Sequence, residues 1–236
     1  GETGMQETAT RHGVDLVTMA KGAGMLAPGL ATMLTVITTD AVLSPQQADA
    51  ALRSATQVSF DRIDSDGCMS TNDTVILMAS GASGITPDAQ EFETSLRAAC
   101  TSLARQLIAD AEGASKDIAI DVAGAATVAE AVTVARAVSR SNLLKCAIHG
   151  EDPNWGRVLS AIGTTDATFD ALCIDVAING VWVCRASAPS ESRDLVDMSS
   201  REIVISIDLH AGDESARLWT NDLTAVYVHE NSAYAT

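Results

Sequence analysis

The sequence predicts an α+β fold built from layers of helix and sheet. Segments with alternating apolar residues are interspersed with segments of helical spacing, and in places two strand-like segments follow each other. That order suits α+β layering better than a strictly parallel α/β fold. Hydrophobic residues make up 47% of the 236 while aromatics make up only 3%. The core is therefore Ala, Val, Leu and Ile, small enough for close helix–sheet layers. The length suffices for one large or two small domains with a proper core.

Residues 1–14 are polar and rich in Gly and Thr and read as a surface lead-in, and Asp15–Ala20 as a short strand that delivers Lys21. Lys21–Leu30 contains Gly22, Gly24, Pro28 and Gly29. Glycine relaxes the backbone and proline fixes a bend, which makes this stretch a poor helix and a poor central strand. Met33–Thr39 is β-branched and apolar, a buried strand or the start of a core helix. Ser44 as N-cap and Pro45 in the first turn begin a helix running through Ala48–Gln57, with Ala51, Leu52 and Ala55 inward. Residues 60–73 (FDRIDSDGCMSTND) form a polar loop. Asp64, Asp66 and Gly67 suggest a calcium loop, but its first ligand position falls on Arg62 and its twelfth on Asp73, where a bidentate Glu is wanted. A tight Asp/Gly turn beside a site is the better reading. Val75–Ala79 is a strand or a helix start.

Asp88 opens the strongest helix, which runs to about Ala111 with Phe92, Leu96, Ala99, Cys100, Leu103, Leu107 and Ile108 at helical spacing, and Gly113 caps its end. Ile118–Ala123 alternates as a strand. Thr127 caps a helix over Val128–Ser139, and Asn142–Ile148 continues it or begins the next element. Phe169–Ile178 and Val181–Arg185 resemble two strands joined by the turn Asn179-Gly180. Glu202–Leu209, Ala216–Trp219 and Leu223–Val228 read as further strands, and the tail HENSAYAT is polar.

The formal charge of −16 argues against nucleic acid or an anionic membrane as partner, since both need a basic face. It reads as a solvated acidic surface that leaves room for a cationic substrate. Cys68, Cys100, Cys146, Cys173 and Cys184 are odd in number and lack CxxC spacing. They read as core thiols of a reducing compartment. His12, His210 and His229 lack ligand spacing, so no metal is expected. With no signal peptide and no apolar run of membrane-spanning length, a soluble, cytoplasmic protein is expected. The opening without an initiator Met points to a fragment or a processed form.

Ala31-Thr32 stands between a pliable loop and a rigid element. There a Thr hydroxyl can attack the carbonyl just before it, and the freed α-amine can then serve as base for its own hydroxyl. A Gly-rich turn capped by a Thr is the plainer alternative at this point.

Five blocks together resemble the ornithine acetyltransferase (glutamate N-acetyltransferase) family: KGAGMLAPGLATMLTVITTDA from Lys21, DGCMSTNDTV from Asp66, DAEGASK from Asp110, HGEDPNWGR from His149 and HENSAYAT from His229. They occur in the family's order and reach from Lys21 to Thr236. The resemblance implies an αββα-like sandwich with a smaller C-terminal α/β part, and a precursor that cleaves itself between Ala31 and Thr32. Residues 1–31 would then be the tail of an upstream small subunit. Residues 32–236 would be the large subunit, further divided into subdomains near 120–165. The new N-terminal Thr32 would be the nucleophile, carrying acetyl from N-acetylornithine to glutamate by a ping-pong route without a cofactor. Acetyl-CoA is a second donor in some members.

Lys21, Thr32, Glu112, Asn231 and Thr236 fall where the family binds substrate. HGEDPNWGR would be a structural loop lining the site, with Asn154 and Trp155 buried. Cys68, Ser115 and Gly29 depart from the family's usual residues without removing a catalytic group. The family's oxyanion hole comes from a Thr-Gly pair well upstream. It would be supplied here by the small-subunit segment, in a heterotetramer of two cleaved heterodimers. Two other readings remain: an N-terminal-nucleophile amidohydrolase or aminopeptidase that uses water as acceptor, and an acidic interaction domain without catalysis.

Overall fold

The computed structural model describes residues 5–22, 33–69 and 72–233. The chain has the layered α+β architecture expected from its sequence, in two compact units, Gly1–Ala111 and Glu112–Thr236. The division falls ahead of the interval 120–165.

The first unit is a four-stranded sheet in the order β1 (Met5–Arg11), β2 (Val14–Lys21), β3 (Leu34–Thr39), β4 (Thr74–Ala79). The lead-in thus contains a strand that composition does not reveal. Its MQETATR sequence has no apolar alternation because β1 is an edge strand, held by its ladder to β2. His12 and Gly13 both have positive φ, 51° and 77°, which closes a two-residue hairpin whose twist matches that of the strands. β3 pairs antiparallel with β2 and parallel with β4. Val14, Leu16, Thr18 and Ala20 alternate inward along β2, as Thr35, Ile37 and Thr39 do along β3.

Two helices pack with this sheet. α1 (Pro45–Gln57) begins with a capping box in which the Ser44 hydroxyl accepts from Gln47 N and the Gln47 side chain accepts from Ser44 N. Ala51 and Ala55 are buried, and Leu52 only half-buried. α2 (Ala89–Ala109) is capped by the Asp88 carboxylate and buries Phe92, Leu96, Ala99, Cys100, Leu103, Leu107 and Ile108, the stripe its spacing predicts. It ends at Asp110, so Gly113 lies beyond the cap. On the sheet's other face Met19, Leu34, Ile76 and Met78 are exposed.

The second unit, expected to be the smaller part, holds a six-stranded sheet in the order β10-β5-β9-β6-β7-β8. These strands are β5 (Asp117–Ala125), β6 (Asp175–Ile178), β7 (Val181–Arg185), β8 (Ala188–Pro189), β9 (Glu202–Asp208) and β10 (Glu214–Asn221). Only β5 and β9 run parallel. Ile118, Ile120 and Val122 share one core with Ala131, Val134 and Val138 of α3 (Val128–Ser139) and with Val158 and Ile162 of α5 (Trp155–Ile162). α4 (Asn142–His149) is a separate helix with its own Ser141 cap.

Two strand assignments fail here. Of Phe169–Ile178 only Asp175–Ile178 is strand, because Asp170 folds the preceding segment into a turn by accepting from Leu172 N. Leu223–Val228 lies largely in a helix, α6 (Ala225–Ala233), because the Thr224 hydroxyl accepts from Tyr227 N at 3.0 Å and starts a turn there. The apolar residues that suggested a strand, Val226 and Val228, are exposed. The reading of the cysteines as core thiols holds for Cys100 and Cys184, whereas Cys68, Cys146 and Cys173 are exposed.

Candidate functional site

In the first unit, Lys21 ends β2 and is the cross-strand partner of Leu34, the first residue of β3. The segment expected to be cut is therefore closed by two strands paired with each other. Ala31 and Thr32 themselves lie outside the described residues, as does Thr236. The residue that follows Thr32 is held on both sides. Met33 is buried, its N donates to Asp73 Oδ1 at 2.8 Å, and its carbonyl accepts from Thr74 N at 3.0 Å. Asp73 Oδ2 is buried without a partner among the described residues. Burial pushes this carboxyl above the ordinary carboxylate range, against the opposing pull of the Met33 N–H. In the sequence Asp73 stands out only as the last position of a failed calcium pattern. Its spacing just before a strand was the available signal.

In the second unit, three of the sequence blocks meet. Asn231 on α6 donates through Nδ2 to Glu112 Oε2 at 3.4 Å and to Tyr227 O at 3.0 Å. Glu112 is half-buried and Asn231 exposed, so an acceptor and an amide face accessible space side by side. The loop carrying Glu112 turns at Gly113, with φ of +70°. A Cβ there would lie 2.9 Å from Tyr227 Cα and 3.0 Å from Val226 C. Only glycine allows so close an approach of two backbones. Gly113 O accepts from the Thr224 hydroxyl at 2.7 Å, which joins the loop to the start of α6.

Asp222 anchors the other end of this loop. Its side chain has no exposed surface. Oδ1 accepts from Ser115 N at 2.8 Å and Lys116 N at 2.9 Å, while Oδ2 takes the Ser115 hydroxyl and lies 2.8 Å from His149 Nδ1. Burial alone raises the pKa of such a group, but the donors from Ser115, Lys116 and His149 outweigh it and hold the carboxyl below its ordinary value. This is the physics of a carboxylate saturated with donors. The His149 loop is tied in further by Lys116 Nζ, which donates to Glu151 Oε1 at 2.8 Å and to the carbonyl of Met198 at 2.6 Å. HGEDPNWGR is thus a bracing loop, but Asn154 and Trp155 are half-buried, not buried, because Trp155 opens α5 at the surface end. Asp222 and Thr224 carry no signal in the sequence. Asp222 follows Asn221 in what reads as an ordinary turn, and Thr224 falls in the segment read as a strand.

The arrangement can receive a cation at Glu112 and an amide-bonding group at Asn231. Among the described residues no group of three or more His, Cys, Asp or Glu could hold a metal ion, and no helix is long and apolar enough to cross a membrane.

A family model described as the ArgJ family matches residues 2–236. The chain is 65% identical over 227 residues to the arginine biosynthesis bifunctional protein ArgJ of Streptomyces coelicolor, covering 96% of this chain and 59% of that protein. It is 64% identical over 218 residues to the protein of the same name from Thermobifida fusca, covering 92% and 57%. The chain thus spans about three fifths of the length of these curated relatives. The crystal structure of the arginine biosynthesis bifunctional protein ArgJ from Bacillus halodurans superposes with a TM-score of 0.79 at 37% identity, covering 84% of this chain and 97% of that one.

Proposed function

We propose, for a chain that belongs to the ArgJ family, that it is the nucleophile-bearing part of a self-cleaving acetyltransferase of arginine biosynthesis. Cleavage falls between Ala31 and Thr32, leaving residues 1–31 as the tail of the small subunit and 32–236 as the large subunit. Thr32 then takes the acetyl group of N-acetylornithine and passes it to glutamate. The observation that carries this reading is the meeting of Glu112 and Asn231 at 3.4 Å across 119 residues of chain. A carboxylate beside an amide donor suits an amino-acid substrate that bears an ammonium.

The chemistry follows from the residue types. A free α-amine has a reference pKa of about 7.7–8, so at neutral pH a good fraction of such amines can take a proton, here that of the hydroxyl of the same residue. The hydroxyl oxygen attacks the acetyl carbonyl, ornithine leaves, and the acetyl-Thr32 ester is opened by the glutamate amine. Lys21 anchors the α-carboxylate that both amino acids share, and Glu112, Asn231 and Thr236 complete the substrate contacts. The pairing of β2 with β3 supports the cleavage step, because the strands on either side of the cut are hydrogen-bonded to each other and keep the two fragments joined. The oxyanion donors come from the upstream segment, and two cleaved heterodimers form a cytoplasmic heterotetramer. Acetyl-CoA serves as a further donor.

Purified protein incubated with N-acetylornithine, with and without glutamate, tests the proposal. Ornithine release should require glutamate beyond the first turnover. Continuous release into water alone would identify a hydrolase.

A further inference from the structure

We propose that Asp222 is the positioning residue of the Glu112 site, holding the loop that presents Glu112 to Asn231. The proposal rests on the reading of Glu112 and Asn231 as substrate contacts. The loop of residues 112–116 has two attachments. At Gly113 it is tied to the start of α6 through the Thr224 hydroxyl. At Ser115 and Lys116 both backbone N–H groups point into Asp222 Oδ1, at 2.8 and 2.9 Å.

Two successive amides converging on one carboxylate oxygen fix the peptide plane between them, and with it the direction in which the chain leaves Gly113. The second oxygen is engaged as well, by the Ser115 hydroxyl and His149 Nδ1. Asp222 has no exposed side-chain surface and so does not itself reach substrate. Asp222 and Thr224 flank Leu223, and α6 begins at Ala225 and carries Asn231. The same short stretch therefore sets both sides of the Glu112–Asn231 pair: Asp222 grips the loop, and Thr224 starts the helix. An Asn at 222 would retain one acceptor for the backbone amides but would turn a donor toward the Ser115 hydroxyl and His149.

A double-mutant cycle on the full cleaved enzyme tests this, with KM for N-acetylornithine as the readout and Asp222→Asn and Glu112→Gln as the two changes. Asp222→Asn should raise KM about tenfold in the native background and leave it nearly unchanged in Glu112→Gln, because residues acting through one another are not additive. Equal increases in both backgrounds, or none in either, would overturn the positioning role, since a merely structural acid affects both alike. If Glu112→Gln by itself leaves KM unchanged, the substrate reading fails, and this inference with it. Ser115→Ala guards against misfolding, because it removes one hydroxyl donor and leaves both amides in place. It should show a smaller increase with the same non-additivity, and an additive increase would count against the proposal.

Discussion

Replacing Asp73 by Ala tests whether the start of β3 is held for cleavage or merely for packing. The carboxylate accepts from Met33 N at 2.8 Å, and Met33 is buried. Removing it leaves a buried N–H without that acceptor, at a cost of about 1–3 kcal/mol. The loss of a carboxylate oxygen that is buried and unpartnered among the described residues offsets part of this. A net destabilisation of about 1–2 kcal/mol corresponds to a factor of about 5–30 in the ratio of held to released conformation. Cleavage at the preceding Ala31-Thr32 bond should slow by up to that factor, followed by intact mass over time on freshly produced precursor. Asp73→Asn keeps an acceptor for Met33 N and should cleave faster than the Ala variant. A raised carboxyl pKa means that the fold favours the protonated acid, so stability contributed by its proton is present at low pH and lost as pH rises through the folded value. The wild type should therefore gain on Asp73→Asn in thermal unfolding as pH falls toward about 4. Wild-type cleavage in Asp73→Ala, with melting temperatures equal across all three proteins, would refute the reasoning.

Thr32→Ala should abolish both cleavage and acetyl transfer, and a cut product from that variant on intact mass would mean that another group does the cutting. Gly113→Ala should cost at least about 1–2 kcal/mol from the left-handed backbone alone, with more from the approach to Tyr227. Thermal unfolding and KM for N-acetylornithine should worsen together. Asp222 has a depressed pKa, so the stability it contributes is complete above the unfolded value of about 3.9 and is lost as pH falls through the lower folded value. Acid unfolding below about pH 4 should accordingly be shallower in Asp222→Asn, and an unchanged acid limb would contradict the assignment.

What could be read from the sequence was local. The caps at Ser44, Asp88 and Thr127 marked three helix starts because each is a side chain bonding to an amide two or three residues on. The Asn179-Gly180 turn was legible from another local property, because Asn and Gly tolerate the positive φ that both residues have. β1 was not, because an edge strand needs no apolar face, and α6 was not, because its exposed valines carry the composition of a strand. Within the site, Glu112 and Asn231 were legible only as members of sequence blocks. Asp222 was not legible at all, because its partners lie 106 and 107 residues away.

The acidic composition also takes on a second meaning. A charge of −16 reads as a solvated surface, yet several of the acids are internal. Asp64, Asp175 and Asp222 are buried, and each accepts from a backbone amide, of Gly67 at 2.9 Å, Ala186 at 2.7 Å and Ser115 at 2.8 Å respectively. Asp73 does the same for Met33, and Asp40 for Asp15. A hydrogen bond to a charged acceptor contributes about 1.5–3 kcal/mol, more than a neutral one, and an aspartate is short enough to fix an amide without adding a mobile stem. With only 3% aromatic residues the chain has few large side chains with which to immobilise loops by packing. Carboxylates take over that task, and two of them sit at places the proposed function uses: Asp73 at the residue after Thr32 and Asp222 at the loop that carries Glu112.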